Sequence, residues 1–120
     1  LPVWIDEGIA QLYEGDKHVL ADRAMRTLVA RGQYVPLDLL NQWDVRQEKD
    51  PKKVELFYIQ SLSVMQFLRD QFGREGFRRF CRQLRDGKSV NEALQFAYPT
   101  AIRSLQELEQ RWLMSLKKRF

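Results

Sequence analysis

The feature that most constrains this chain is the spacing of its apolar residues, which recur every three or four positions and rarely alternate. That period suits amphipathic helices and leaves little room for a sheet. A first helix is expected from Pro2 to Glu14, with Pro2 in the first turn, where its missing N–H costs nothing, and Gly15 as the stop. Val3, Trp4, Ile5, Ile9, Leu12 and Tyr13 are too many apolar groups for a surface helix, so this segment should be covered on more than one side. Gly8 in its middle costs about 1 kcal/mol of helix propensity relative to alanine. A glycine kept there points to another backbone, or a ligand, lying close.

The same reasoning divides the rest of the chain. A second helix is expected over Lys17–Arg31, capped by Asp16, with His18 as a surface residue near its start and an inner stripe of Leu20, Ala24, Leu28 and Val29. Pro36 holds Val35 away from helical angles, so Tyr34-Val35-Pro36 reads as extended, and Leu37, Leu39 and Leu40 as a short turn. Asn41 to Glu55, broken by Pro51, reads as the least structured stretch. A long helix follows from Leu56 to Gln71, with Tyr58, Ser61, Leu62, Met65, Leu68 and Phe72 on one face. The next, Glu75–Arg85, should bury Phe77, Phe80, Cys81 and Leu84 and carry Arg74, Arg78, Arg82 and Arg85 on its opposite side. Ser89 with Glu92, and Ser104 with Glu107, read as capping boxes opening two further helices. The second of these should run to about Lys118, with Leu105, Leu108, Trp112 and Leu116 inward and Lys117, Lys118 and Arg119 at its negative end. The expectation is an all-α fold, a single domain over residues 1–120, with about six helices in a compact bundle-like array.

Composition removes several chemistries. One cysteine, Cys81, excludes an internal disulfide and a multi-cysteine zinc site, and one histidine, His18, excludes a two-histidine metal site built from this chain alone. There is no Gly-rich phosphate loop, and no apolar run approaches the roughly 18 residues of a transmembrane segment. Charge is uneven: residues 1–60 carry eight basic and ten acidic groups, residues 61–120 twelve and six. A basic half suits either a nucleic-acid binder or solvated arginine faces. No aromatic residue interleaves with the arginines of the 74–85 stripe on its exposed side, so no specific nucleic-acid partner is expected. A non-catalytic helical interaction module with a basic face is the alternative functional class. The sequence opens at Leu1 and reads as a fragment or a processed product.

Leu1-Pro2-Val3-Trp4-Ile5-Asp6-Glu7-Gly8-Ile9-Ala10, followed by Leu12-Tyr13-Glu14-Gly15, resembles the LPxWLxEGLAxYxEG segment of peptidase MA-like zinc metallopeptidases of the gluzincin type. The likeness continues in order through Gly32–Leu40, through Tyr58 and Ser61 with Phe67-Leu68 and Phe72-Gly73, through Gly87–Leu94, and into Ser104–Trp112. The resemblance implies the C-terminal helical half of a zincin-type domain, from a zinc-dependent enzyme that hydrolyses peptide bonds in a peptide or protein substrate. In that family an H-E-x-x-H helix precedes this segment, its histidines binding zinc and its glutamate activating the metal-bound water. The third protein ligand is the glutamate of W-x-x-E-G, which is Glu7 here. Read from its position alone, Glu7 is a first-turn carboxylate favoured by the helix dipole. Related peptidases use a tyrosine hydroxyl to stabilise the oxyanion, and Tyr58 matches that role; read alone, it is a core tyrosine with a bonded hydroxyl.

Because this sequence has no H-E-x-x-H, the chain by itself is expected to bind no zinc and to be inactive, with zinc held in the intact parent; a degenerate parent is the other possibility. The resemblance also leans towards an exported or cell-envelope bacterial protein. Without the preceding helix, Trp4, Ile5 and Ile9 should form an exposed apolar patch that promotes self-association. Glu7 and Tyr58 should line one groove, bordered by the 41–55 stretch.

Overall fold

The longest helix begins where the sequence predicted a break. Pro51 occupies its first position, where no amide hydrogen bond is lost, and the Asp50 carboxylate accepts from the Lys52 amide at 3.0 Å. The same proline that stops one helix starts another equally well, and the aspartate before it decides the sense. The expected loop to Glu55 therefore shrinks to residues 43–50, and part of that is a 3-10 turn, Val45–Gln47, capped by the Asp44 carboxylate.

The computed structural model describes residues 1–15 and 17–117, without the side chain of His18. The expected cap at Asp16, the exposure of His18 and the charges of Lys118 and Arg119 lie outside the described residues. Among those described there are seven α-helices and no strand: α1 (Val3–Gln11), α2 (Lys17–Ala30), α3 (Leu37–Gln42), α4 (Pro51–Phe72), α5 (Arg74–Arg85), α6 (Val90–Ala97) and α7 (Leu105–Lys117). The all-α expectation holds, with one helix more than anticipated.

Helix α4 is the axis of the fold and packs against α1, α2, α5 and α7. Six consecutive residues, Gln60 to Met65, are buried, so the helix is covered all round at its middle. Its buried polar groups are all bonded. Ser61 Oγ donates to the Phe57 carbonyl at 2.7 Å, and Ser63 Oγ accepts from Trp112 Nε1 at 3.0 Å. Gln60 pairs with both main-chain groups of Val35, accepting from its N–H at 2.9 Å and donating to its carbonyl at 2.6 Å. That pair ties the extended Tyr34-Val35-Pro36 segment to the core. Gln60→Leu should lower the unfolding free energy by about 2–4 kcal/mol, since it strands a donor and an acceptor at about 1–3 kcal/mol each. Urea titration followed by circular dichroism measures this, and an unchanged midpoint would show that Val35 finds other partners.

The inner stripe of α2 differs from the expectation. Ala21, Met25 and Val29 are buried, whereas Leu20 is 67% exposed. Two apolar rows run side by side on this helix, 20-24-28 and 21-25-29, and packing on α4 and α7 selects the second. The Ser89/Glu92 capping box forms in full, with both bonds near 3 Å, and holds the Glu92 carboxyl below its ordinary range. At the start of α7, Ser104 Oγ accepts from the Glu107 amide, but the Glu107 carboxylate turns to the Arg103 amide instead of the cap residue.

Candidate functional site

Helix α1 lies against α4 at very short range. A Cβ added to Gly8 would sit 2.6 Å from the Ser61 carbonyl oxygen and 2.7 Å from Met65 Cγ. The close backbone expected at Gly8 is therefore the middle of α4. Gln11 sets the register of the pair: its side-chain amide donates to the Tyr58 carbonyl at 2.9 Å and to the Glu7 carbonyl at 3.3 Å. One nitrogen thus holds the main chains of Glu7 and Tyr58 side by side. On the same edge of α1, Trp4 is fully buried and donates from Nε1 to Asn41 Oδ1 of α3 at 2.9 Å.

Trp4, Glu7 and Gln11 form one stripe along α1, at i, i+3 and i+7, next to α3 and the first half of α4. Glu7 is half-buried, and among the described residues its carboxylate has no hydrogen bond or ion pair. Tyr58 is also half-buried; its ring meets Phe57 edge-on at 5.6 Å, and Phe57 in turn meets Trp43 at 5.3 Å. Trp43 brings the start of the irregular 43–50 stretch beside this edge. The Tyr58 hydroxyl has no hydrogen-bond partner among the described residues.

Two expectations are corrected here. Trp4 and Ile5 are both fully buried and Ile9 is half-buried, so the patch expected around Trp4 and Ile9 does not exist as an exposed surface. The chain covers those side chains itself, with α3 and α4, which removes the basis for self-association through them. The large exposed apolar groups of this region are Leu1 and Tyr13. The arginine stripe is also displaced. Arg74, Arg78 and Arg85 are exposed but border Phe77 and Cys81 on the side facing α1, not the far side of α5. Cys81 is half-buried, and burial pushes its thiol up while nearby Arg85 acts in the opposite sense.

Gln11, Asn41 and Gln60 organise this region, and the sequence reading passed over them. Their signal was available: a polar residue that falls on an apolar stripe needs a partner inside. The partner itself lies 25 to 47 positions away and leaves no local trace.

The described residues contain no group of three or more His, Cys, Asp or Glu side chains close enough to hold a metal ion. The Glu7 carboxylate is uncommitted to any other described group, so it is free to act as one donor of a site completed from elsewhere. No described helix is long and apolar enough to cross a membrane. A family model for the Peptidase MA superfamily matches residues 1–117. The chain therefore belongs to the Peptidase MA superfamily, and it is a peptidase-related helical domain. No curated protein and no solved structure matches it.

Proposed function

We propose that this chain is the helical part of a zinc-dependent peptidase that hydrolyses peptide bonds, with Glu7 as one zinc ligand and Tyr58 as the oxyanion donor. The observation that carries the reading is the Gln11 bridge, which holds the main chains of an uncommitted half-buried carboxylate and a half-buried tyrosine together. The remaining ligands and the general base would come from an H-E-x-x-H element outside this sequence, which has a single histidine. When bound, zinc supplies Lewis-acid polarisation of the scissile carbonyl and an activated water. Among this chain's own groups, Gly8 lets α1 sit low on α4, and Gln11 fixes the register that presents Glu7. The Tyr58 hydroxyl donates to the oxygen on which negative charge develops, a contribution worth about 10²–10³ in turnover at comparable sites.

The test uses the intact protein. Glu7→Ala should abolish stoichiometric zinc on elemental analysis after dialysis. Tyr58→Phe should keep the zinc and reduce kcat by roughly 10²-fold, with KM little changed. The 120-residue chain alone should hold no stoichiometric zinc and cleave no peptide. Full zinc occupancy in the Glu7→Ala protein, or turnover by the isolated chain, would sink the assignment.

A further inference from the structure

The edge of α1 opposite Glu7 carries Asp6 and Ile9, and these, with Tyr13 in the turn that follows, face α5 across an open cavity of about 570 Å³. That volume lies within the roughly 300–1,000 Å³ of small-molecule sites. Ile9, Phe77 and Cys81 supply its apolar lining, and Arg69, Arg74, Arg78 and Arg85 its rim. Asp6 is the one carboxylate among the lining residues, so the cavity is cationic. Arg69 is paired with Asp70 at 3.0 Å and Arg78 with Glu75 at 3.7 Å. Arg74 and Arg85 have no carboxylate partner among the described residues. They are eleven positions apart on α5, about 16 Å along its axis, one towards each end of the trough. Between them on α5 the lining is the Phe77 ring, the Cys81 thiol and Arg78, whose guanidinium is the one already paired with Glu75.

An arginine rim around an apolar floor calls for an anion with an apolar body. The floor side chains belong to helices whose main-chain groups bond within the helix at those positions, as Phe77 N–H does to the Gly73 carbonyl at 3.3 Å. A peptide laid there would find no main-chain partner on the floor, and only the rim arginines and Asp6 could pair its amides. A hydrocarbon has no such groups. We propose that the cavity between α1 and α5 binds a medium-chain alkyl carboxylate, its head held by Arg74 or Arg85 at one end and its chain lying along Ile9, Phe77 and Cys81. This site is independent of the peptidase reading and stands or falls separately from it.

Calorimetric titration of the chain with monomeric decanoate tests the proposal, with decanol (body without charge) and acetate (head without body) as comparisons. Decanoate should bind with a Kd below about 1 mM, and decanol and acetate at least about tenfold more weakly. Arg74→Gln with Arg85→Gln should weaken decanoate at least about tenfold, which corresponds to 1.4 kcal/mol. Arg79→Gln with Arg82→Gln removes the same charge from the same helix away from the cavity and should leave binding unchanged. Thermal melting of both double variants checks that each remains folded. Decanoate should also slow alkylation of Cys81, the single thiol, which places the ligand in the cavity independently of the variants. The proposal is overturned by no saturable decanoate binding, by decanol binding as tightly, or by equal losses in the two double variants. Tighter binding of N-acetylphenylalanine than of decanoate would assign the cavity to peptide carboxylates instead. Binding to phosphatidylglycerol vesicles without binding of monomeric decanoate would reduce the rim to a surface-charge effect.

Discussion

Gly8→Ala should lower the unfolding free energy by about 2 kcal/mol, even though alanine improves helix propensity by about 1 kcal/mol at this position. The added methyl would stand 2.6 Å from the Ser61 carbonyl oxygen and 3.0 Å from its carbon, a piece of buried main chain that cannot swing aside. Met65 Cγ, at 2.7 Å, could turn away, but the carbonyl could not. Relief requires α1 to lift off α4, which strains the Gln11 bonds to Tyr58 and Glu7. A loss of this size corresponds to a fall in Tm of roughly 8 °C for a domain of this length. Gly8→Val, with two more methyl groups at the same contact, should cost more still. Urea and thermal unfolding measure both variants. An alanine variant as stable as the parent would mean that the two helices are not in this contact. On the proposed function, in which Glu7 is a zinc ligand of the intact protein, the same substitution should also weaken zinc retention, because it moves the helix that carries Glu7.

Trp4→Ala should be more damaging, with an expected loss of about 3–5 kcal/mol, the usual range for deleting a buried large aromatic side chain. Trp4 is fully buried and joins α1 to α3 through its bond to Asn41. The substitution leaves both a cavity and an unpaired Asn41 side chain. Trp4→Phe separates these two effects: it keeps most of the volume, drops the hydrogen bond, and should cost about 1–2 kcal/mol. Sedimentation of the same variants distinguishes an internal tryptophan from a surface one. If Trp4 stabilises the monomer, Trp4→Ala should change the denaturation midpoint and leave the association state alone. A variant of unchanged stability but reduced association would restore Trp4 to the surface.

Local chemistry accounts for the features that could be read directly from the chain. A capping box is complete within four residues, so Ser89 and Glu92 announce the start of α6 without reference to anything distant. The stops at Gly73 and Gly87 are legible for the same reason, whereas α1 ends at Gln11, capped at Leu12, before the expected stop at Gly15 is reached. Pro51 misled because a proline restricts the residue before it and also suits the first position of a new helix; both readings are local, and the Asp50 cap selects the second. Gly8 was legible as a close approach because a glycine in a helix interior carries a cost that needs a cause. Which helix approached was not. Glu7 and Tyr58 entered through an ordered series of motifs, not through any physical property of their own positions.

The sequence by itself determined the all-α class, most helix boundaries, the superfamily resemblance and the pair of residues that it nominates, because all of these are carried by spacing along the chain. Tertiary structure decided which of two apolar rows on α2 turns inward, that Trp4 is covered by α3 and α4, and that the exposed Arg74, Arg78 and Arg85 rim an open cavity beside α1. It also decided that one amide of Gln11 holds Glu7 beside Tyr58. The reason is common to all four. A helix face has no fixed orientation until a partner surface is chosen, and the partners here lie tens of residues away, selected by the volume and polar pairing of the assembled core.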